Sequence, residues 1–221
     1  MDMSNGQNTD LYAAYAAGVL DPSLTLLVET QAALRPNLKN QLQVADIIAG
    51  TALETEAPAS MSLGALDNVL AQIEDLGSDA TRRTHAAAEA GRALDELIRL
   101  PEPLRDLVFD AAEETGWRMA GPGIKRMPLD VGGRAKVELL RMDPGSGAPR
   151  HRHGGSEYTL VLQGGFTDEA GSYGPGDLSV AGPDVMHRPV ADPGAACIAL
   201  AVSDAPMEFG GVLGVLQRIF R

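Results

Sequence analysis

Residues 145–164 read GSGAPRHRHGGSEYTLVLQG and contain two of the chain's four histidines, His151 and His153. Residues two apart on a β-strand point to the same side, about 6–7 Å apart, so these two imidazoles can converge on one ion. Glu157 has the same parity along the chain, and a third imidazole, His187, follows in a later segment. Imidazole and carboxylate groups in this number are a common ligand set for a divalent cation. The spacing therefore predicts a metal site formed by His151, His153, Glu157 and His187.

One divalent metal is expected at this site. Nitrogen and oxygen ligands suit Zn²⁺, Fe²⁺, Ni²⁺, Mn²⁺ and Co²⁺, and zinc is favoured because it binds such sites strongly. The fourth histidine, His85, lies in a polar, Ala-rich segment and is predicted to be on the surface. Cys197, the only cysteine, excludes an intramolecular disulfide and a Cys-rich zinc site. It is predicted to be a small buried apolar side chain.

The chain has two parts that differ in their sequence pattern. From Trp117 onward, short apolar runs such as KVELLRM, EYTLVLQ and CIALAVS alternate with Gly and Pro, which predicts a β-sandwich or barrel. Residues 9–76 are rich in Ala and Leu and have helical periodicity. The predicted fold class is therefore α+β. Its predicted parts are a small helical bundle over residues 1–76, a connector over residues 77–101 and a metal-binding β domain over residues 102–221.

Four helices are expected in the N-terminal part. The first runs from Thr9 or Asp10 to residue 20, and the second and third start near Pro22 and Pro36, since Pro is tolerated in a first helical turn. The fourth begins near Ser62. Its apolar residues recur at the spacing of one helical face, which predicts a buried row formed by Leu66, Val69, Leu70 and Ile73.

Residues 145–164 resemble the first motif of the cupin family, G-x5-H-x-H-x3-E-x6-G, at every fixed position. The second cupin motif is present in part, because Gly176 and His187 stand at its spacing. Its Pro, Gly and Asn are replaced by Gly182, Asp184 and Ala191. The replaced positions shape a turn and do not ligate. The resemblance implies a double-stranded β-barrel, or jelly roll, with the metal held inside by the three histidines and the glutamate.

The N-terminal part resembles the helical domain of the ChrR-type anti-sigma factors, in which such a domain precedes a cupin. The order of elements and the run YAAGVLD at residues 15–21 carry this resemblance. In that family an H-x3-C-x2-C motif and an upstream His bind zinc. The matching positions here are Gln31, Arg35 and Leu38, so no N-terminal zinc is expected. Leu38 is expected to replace a ligand with an apolar contact.

Charge restricts the class of partner. The net charge is −12, which argues against direct nucleic-acid binding through phosphate neutralisation. Residues 1–76 carry ten acidic and two basic residues, a net of −8, which suits a basic protein partner but also simply keeps a small domain soluble. No stretch reaches the roughly 18 apolar residues of a membrane span, and the start, MDMSNGQNTD, is polar. A cytoplasmic protein without membrane contact is expected.

Three functions are compatible with the sequence. The resemblance implies an anti-sigma factor whose helices bind an extracytoplasmic-function sigma factor and whose cupin senses an oxidant or ligand through its metal. The alternative is a metal-dependent cupin enzyme of the dioxygenase or isomerase type. In that case Arg150, Arg152 and Tyr158 could contact a substrate, although such residues are also ordinary outward-facing groups of a strand. The third is a cupin homodimer that only brings the helical modules together.

Overall fold

Helices come first in the chain and strands second, so the predicted α+β fold class is confirmed. The computed structural model describes residues 8–73 and 95–209. The helices in these ranges are α1 (Thr9–Ala16), α2 (Pro22–Leu34), α3 (Pro36–Leu53), α4 (residues 65–73), α5 (Asp95–Ile98) and α6 (Leu104–Glu114). None of them is long and apolar enough to cross a bilayer.

Local chemistry sets the bounds of the first two helices. The first was predicted to continue to residue 20, which is wrong, because Gly18 adopts a left-handed conformation with φ 67°. The Gly18 and Val19 N–H groups bond back to the carbonyls of Tyr15 and Ala14, a Schellman ending that stops α1. Helix α2 begins as predicted, since the Asp21 side chain accepts a hydrogen bond of 3.0 Å from the Ser23 N–H.

The strands within the described residues form three antiparallel sheets. They are β1 (Arg118–Gly121), β2 (Ile124–Leu129), β3 (Lys136–Met142), β4 (His151–His153), β5 (Glu157–Gln163), β6 (Phe166–Thr167), β7 (Ser172–Tyr173), β8 (Leu178–Ala181), β9 (Val190–Ala191), β10 (Cys197–Ser203) and β11 (Met207–Phe209). The largest sheet has the order β1-β2-β3-β10-β5-β8. The short strands pair as β7-β6-β9 and β11-β4. Bridges at Gly147–Val190 and His151–His187 connect these short segments.

The six-stranded sheet is covered on both faces, and its central strand β10 shows this best. Along that strand Ile198, Leu200 and Val202 belong to a cluster shared with the helices, whereas Cys197 and Ala199 belong to a second cluster with Phe166 and Ala191 of the small sheets. Successive side chains of a strand point to opposite faces. The first cluster therefore lies between helices and sheet, and the second fills the barrel.

The first cluster is continuous from the helices into the sheet. It contains Leu27 and Val28 of α2, Leu104 and Val108 of α6, and apolar residues of β2, β3, β5, β8 and β10. Leu97 and Leu100, which the sequence had placed in the connector, are also buried in it. The remainder of that connector between residues 74 and 94, including His85, lies outside the described residues. The three predicted domain bounds stay a prediction.

The fourth helix differs from its prediction. Its supposed buried row is exposed, at 63% for Leu66, 50% for Val69 and Leu70, and 57% for Ile73. The periodicity identified an amphipathic helix correctly. The error was to assume that another part of the chain covers the apolar face. No described residue buries these four side chains as a hydrophobic core would.

Replacing Leu27 by alanine is expected to lower the free energy of unfolding by about 2–5 kcal/mol, as for other fully buried leucines. Its side chain is completely inaccessible to solvent. The cluster spans helices and sheet. The midpoint of urea unfolding should therefore fall by the same amount whether it is measured by circular dichroism or by tryptophan fluorescence. Val44→Ala on the exposed side of α3 should change stability by no more than about 0.5 kcal/mol. Separate transitions for the two probes would contradict a shared core.

Candidate metal centre

The structure brings together all four side chains that the sequence proposed as metal ligands. His151 and His153 lie on β4, Glu157 is the first residue of β5, and His187 lies in the segment between β8 and β9. In β4 both histidines are buried and Arg152 between them is exposed, as the parity argument predicted. Two backbone hydrogen bonds tie the segments together, from His151 N–H to His187 O (3.0 Å) and from His187 N–H to His151 O (2.9 Å).

The four side chains offer a compact set of donor atoms. One nitrogen or oxygen from each lies within 4.8 Å of all the others. The Nε2 atoms of His151 and His187 are 3.1 Å apart, and Glu157 Oε2 lies 3.1 Å from His153 Nε2 and 3.5 Å from His187 Nε2. Each residue is less than 10% exposed. This arrangement can surround a single cation with three nitrogens and one oxygen.

Burial and neighbouring groups shift the pKa of two of these side chains, His151 and Glu157. Burial lowers the pKa of His151, because the charged imidazolium loses hydration, and the neighbouring His187 and His153 lower it further. Burial by itself would raise the pKa of Glu157, but the three imidazoles beside the carboxylate together lower it. Neutral imidazoles next to a carboxylate are the protonation states that bind a divalent metal.

The donor set fits a metal for a second reason. Both ring nitrogens of His153 and the Nδ1 atom of His187 are buried without a hydrogen bond of acceptable geometry. Buried polar atoms without partners are rare in folded proteins and destabilise them. A cation inside the group would give a ring nitrogen of His153 the well-aligned partner that the protein does not provide, so the residues present fit the predicted metal.

Contacts outside the group orient two of the imidazoles. The Nδ1 atom of His151 lies 2.8 Å from the Pro149 carbonyl, which favours the tautomer with its proton on Nδ1 and a lone pair for ligation on Nε2. The Nδ1 atom of His187 lies 3.6 Å from a carboxylate oxygen of Asp168, whose side chain is 2% exposed. The sequence analysis did not identify Asp168, because no motif spacing links it to the histidines. Its position directly after β6 brings it next to His187 only in the folded chain.

A cavity of about 380 Å³ opens onto the site. Its wall includes His153 and Glu157 together with Arg134, Lys136 and Met207. A small molecule could therefore reach two of the four side chains without unfolding of the barrel.

The residues that could have contacted a substrate point elsewhere. Arg152 pairs with Glu208 at 3.0 Å and Arg150 lies 3.8 Å from Glu169. Tyr158 packs against the apolar cluster shared with the helices. These contacts favour the interpretation that all three are ordinary outward-facing side chains and do not contact a substrate.

Cys197 is a core residue, as predicted. Its side chain is fully buried inside the barrel, and burial, with a contribution from the negative charge of Asp192, raises the pKa of its thiol to about 12. Since the thiolate is the reactive form of cysteine, this thiol is poorly suited to sense an oxidant.

The three positions that match N-terminal zinc ligands in the ChrR-type family have other contacts here. Leu38 is buried in the same apolar cluster as Leu27, as expected for an apolar replacement. Gln31 donates a hydrogen bond of 3.1 Å to the Gly176 carbonyl, and Arg35 forms an ion pair with Asp177. Both contacts reach across to the β domain, which the sequence did not predict.

Comparison with known proteins identifies relatives over nearly the whole chain. Residues 105–206 match the family described as the ChrR cupin-like domain. The anti-sigma-E factor ChrR of Cereibacter sphaeroides is 38% identical over 210 residues, which cover 95% of this chain and 94% of that protein. A chain in the crystal structure of Rhodobacter sphaeroides SigE in complex with the anti-sigma ChrR is similar with a TM-score of 0.68 and 35% identity. That match covers 88% of this chain and 96% of the other.

Removal of one ligand tests the metal centre. The His187→Ala protein is expected to bind zinc at least about tenfold more weakly than the parent, since even indirect changes around metal sites have effects of this size. Metal content after dialysis against a chelator, measured by inductively coupled plasma mass spectrometry, is the readout. Arg188→Ala is the matched control, because Arg188 is adjacent but exposed. Unchanged metal content in the His187 variant would show that the ligand assignment is wrong.

The thiol of Cys197 is expected to resist modification in the folded chain. With its pKa raised to about 12, its reaction with a disulfide reagent at pH 8 should be slower than that of free cysteine by about a thousandfold or more. The same thiol should react at the normal rate in guanidinium chloride, which serves as the control. Rapid reaction of the folded chain would contradict this expectation and would make Cys197 a candidate oxidant sensor.

Proposed function

The chain belongs to the ChrR family of anti-sigma factors, and from this premise we propose that its helices bind an extracytoplasmic-function sigma factor under the control of a metal centre in the cupin. The observation that carries the proposal is the apolar surface of the N-terminal helices. On α3 the side chains of Val44, Ile47 and Ile48 are 57%, 68% and 66% exposed. They lie opposite the buried residues Leu38 and Leu42 of the same helix.

A second apolar face lies on α4, where four large side chains are at least half exposed. Large exposed apolar patches in monomeric proteins usually mark interaction sites. Two amphipathic helices with free faces suit recognition in which helices bury apolar residues against a partner. These faces are consistent with a protein ligand.

Charge supports a basic protein partner. Residues 1–76 have a net charge of −8, and opposite charge on the partner speeds encounter and opposes binding to acidic competitors. A partner that works on RNA polymerase places the chain in the cytoplasm. Direct contact with nucleic acid forms no part of the proposal.

The metal centre is proposed to bind zinc through His151, His153, Glu157 and His187, with Fe²⁺, Ni²⁺, Mn²⁺ and Co²⁺ compatible with the same donors. When bound, the metal would supply a charge that fixes four side chains from three segments in one arrangement. The cavity that reaches His153 and Glu157 gives an oxidant or small ligand access to this arrangement. Because Cys197 is buried and protonated, we propose that the signal acts at the metal centre and not through a thiol.

The same cavity favours a second candidate function, a metal-dependent cupin enzyme. A ligand set of three histidines and one glutamate can leave a coordination position for a substrate. The contacts of Arg150, Arg152 and Tyr158 weaken this candidate, because none of these side chains lies in the cavity wall. Oxygen uptake by the metal-loaded chain with small diols or enols would support it.

Introduction of a charge into the exposed stripe of α3 tests sigma-factor binding. Ile47→Asp is expected to weaken the affinity for the cognate sigma factor by about tenfold to a hundredfold, since it would bury an unpaired carboxylate in an apolar contact. The extracytoplasmic-function sigma factors of the native host would be purified individually and titrated calorimetrically. Inhibition of transcription in vitro by the parent chain would identify the cognate one.

The control variant is Met119→Asp, which makes the same chemical change at an apolar side chain on β1 that is 71% exposed. It should bind the sigma factor like the parent, and both variants should keep the metal content and melting temperature of the parent. Equal affinities of the Ile47 variant and the parent would refute the proposed surface. Failure of the parent to bind any sigma factor of its host would refute the proposed function.

A further inference from the structure

Helix α2 contacts β5 and β10 of the cupin as well as α1 and α3, and polar contacts fix its first turn to the cupin. The Arg134 N–H donates a hydrogen bond of 2.9 Å to the Asp21 carboxylate, and the Ser23 hydroxyl donates one of 3.1 Å to the Ala135 carbonyl. Hydrogen bonds from the Arg134 and Ser23 N–H groups lower the pKa of Asp21. The segment before β3 is therefore attached to the start of α2.

The other end of α2 has a second attachment. Gln31 is buried, and its side-chain amide donates a hydrogen bond of 3.1 Å to the Gly176 carbonyl. Its side-chain oxygen accepts a hydrogen bond of 2.9 Å from the Tyr12 hydroxyl. Just beyond the helix, Arg35 forms an ion pair with Asp177. The segment before β8 is thus attached to both α1 and the end of α2.

Glycines allow the close approach at both attachments. A Cβ atom on Gly133 would lie 2.2 Å from Ser23 Oγ and 2.4 Å from Asp21 Oδ1, and one on Gly176 would lie 2.7 Å from Arg35 Nε. Gly176 also has φ 85°, a conformation that other residues rarely adopt. A larger residue at Gly133 would crowd the first turn of α2, and one at Gly176 would displace the Arg35 side chain from its contact.

Both attached segments lead directly to the metal centre. The Gly176 N–H bonds to the Val161 carbonyl at 2.8 Å. This contact continues the ladder between β5 and β8, whose far end pairs Glu157 with Ala181. At the other attachment, Arg134 lines the same cavity as His153 and Glu157. The ends of α2 are therefore connected to the candidate ligands through a paired strand on one side and a cavity wall on the other.

We propose that α2 couples the metal centre to the sigma-binding helices, with Arg35–Asp177 and Gln31–Gly176 as the contacts that transmit the coupling. A bound metal orders β5 and the segments attached to it, and these hold α2 and the start of α3 in place. Loss or alteration of the metal loosens the attachments and frees the helices. The inference rests on the proposed function of the metal site, and any such coupling must be reciprocal. Weakening the attachments must therefore weaken metal binding.

Amide hydrogen exchange on the full chain, in the absence of any sigma factor, tests this coupling. The chain is measured loaded with zinc and after zinc removal by a chelator. Removal is expected to speed exchange at the end of α2 and the first turn of α3 by about fivefold or more, the effect of losing one half-exposed ion pair and one hydrogen bond. In the double variant Arg35→Gln/Asp177→Asn, exchange at these amides should be fast with or without zinc, and the affinity for zinc should fall.

A matched control removes an ion pair that does not join the helices to the cupin. Arg105→Gln breaks the contact between Arg105 and Glu102 near the start of α6 and should behave like the parent. Gly133→Ala provides an independent variant at the other attachment and should loosen the first turn of α2. Zinc-independent exchange of α2 in the parent, or zinc-dependent exchange in the double variant, would overturn the proposal. A chain that shows the coupling but binds no sigma factor would refute the proposed function alone.

Discussion

The burial of both faces of the six-stranded sheet is the constraint on which the other features depend. Strand β10 has Cys197 and Ala199 inside the barrel and Leu200 and Val202 beneath the helices. Removing the helices would expose the outer apolar face to water at roughly 25 cal/mol per Å². The helical part therefore does not need a core of its own, since the cupin supplies one side of it. This explains how such short helices can be ordered.

The metal centre lies on the other face of the six-stranded sheet, inside the barrel. Its four polar side chains are buried where the barrel would otherwise be apolar, and ring nitrogens of His153 and His187 form no hydrogen bond of good geometry in the protein. Such a group is destabilising unless a ligand completes it. Binding energy of a metal at this point is therefore partly folding energy for β4, β5 and the segment that carries His187. A change at the metal can in turn alter the stability of whatever packs on these strands.

The sequence predicted the site better than the surfaces around it. His151 and His153 follow from strand parity, and Glu157 and His187 from the spacing of recognisable motifs, because ligand geometry imposes regular intervals on the chain. Asp168 beside His187 and Asp177 beside Arg35 obey no interval, since they meet their partners only when separate segments pack. Periodicity likewise identified α4 as amphipathic but could not tell whether its apolar face is covered. Local patterns encode the orientation of a side chain, whereas its neighbour depends on tertiary structure.

The acidity of the N-terminal part and its exposed apolar faces are best understood together. Exposed residues such as Ile47, Ile48 and Leu66 favour self-association, and a net charge of −8 over residues 1–76 opposes it by mutual repulsion. The same charge would attract a basic partner, whose binding would remove the repulsion and cover the apolar faces in one step. An uncovered face of this kind would be a liability in a chain that acts alone. In a chain that waits for a protein partner, it is the binding surface itself.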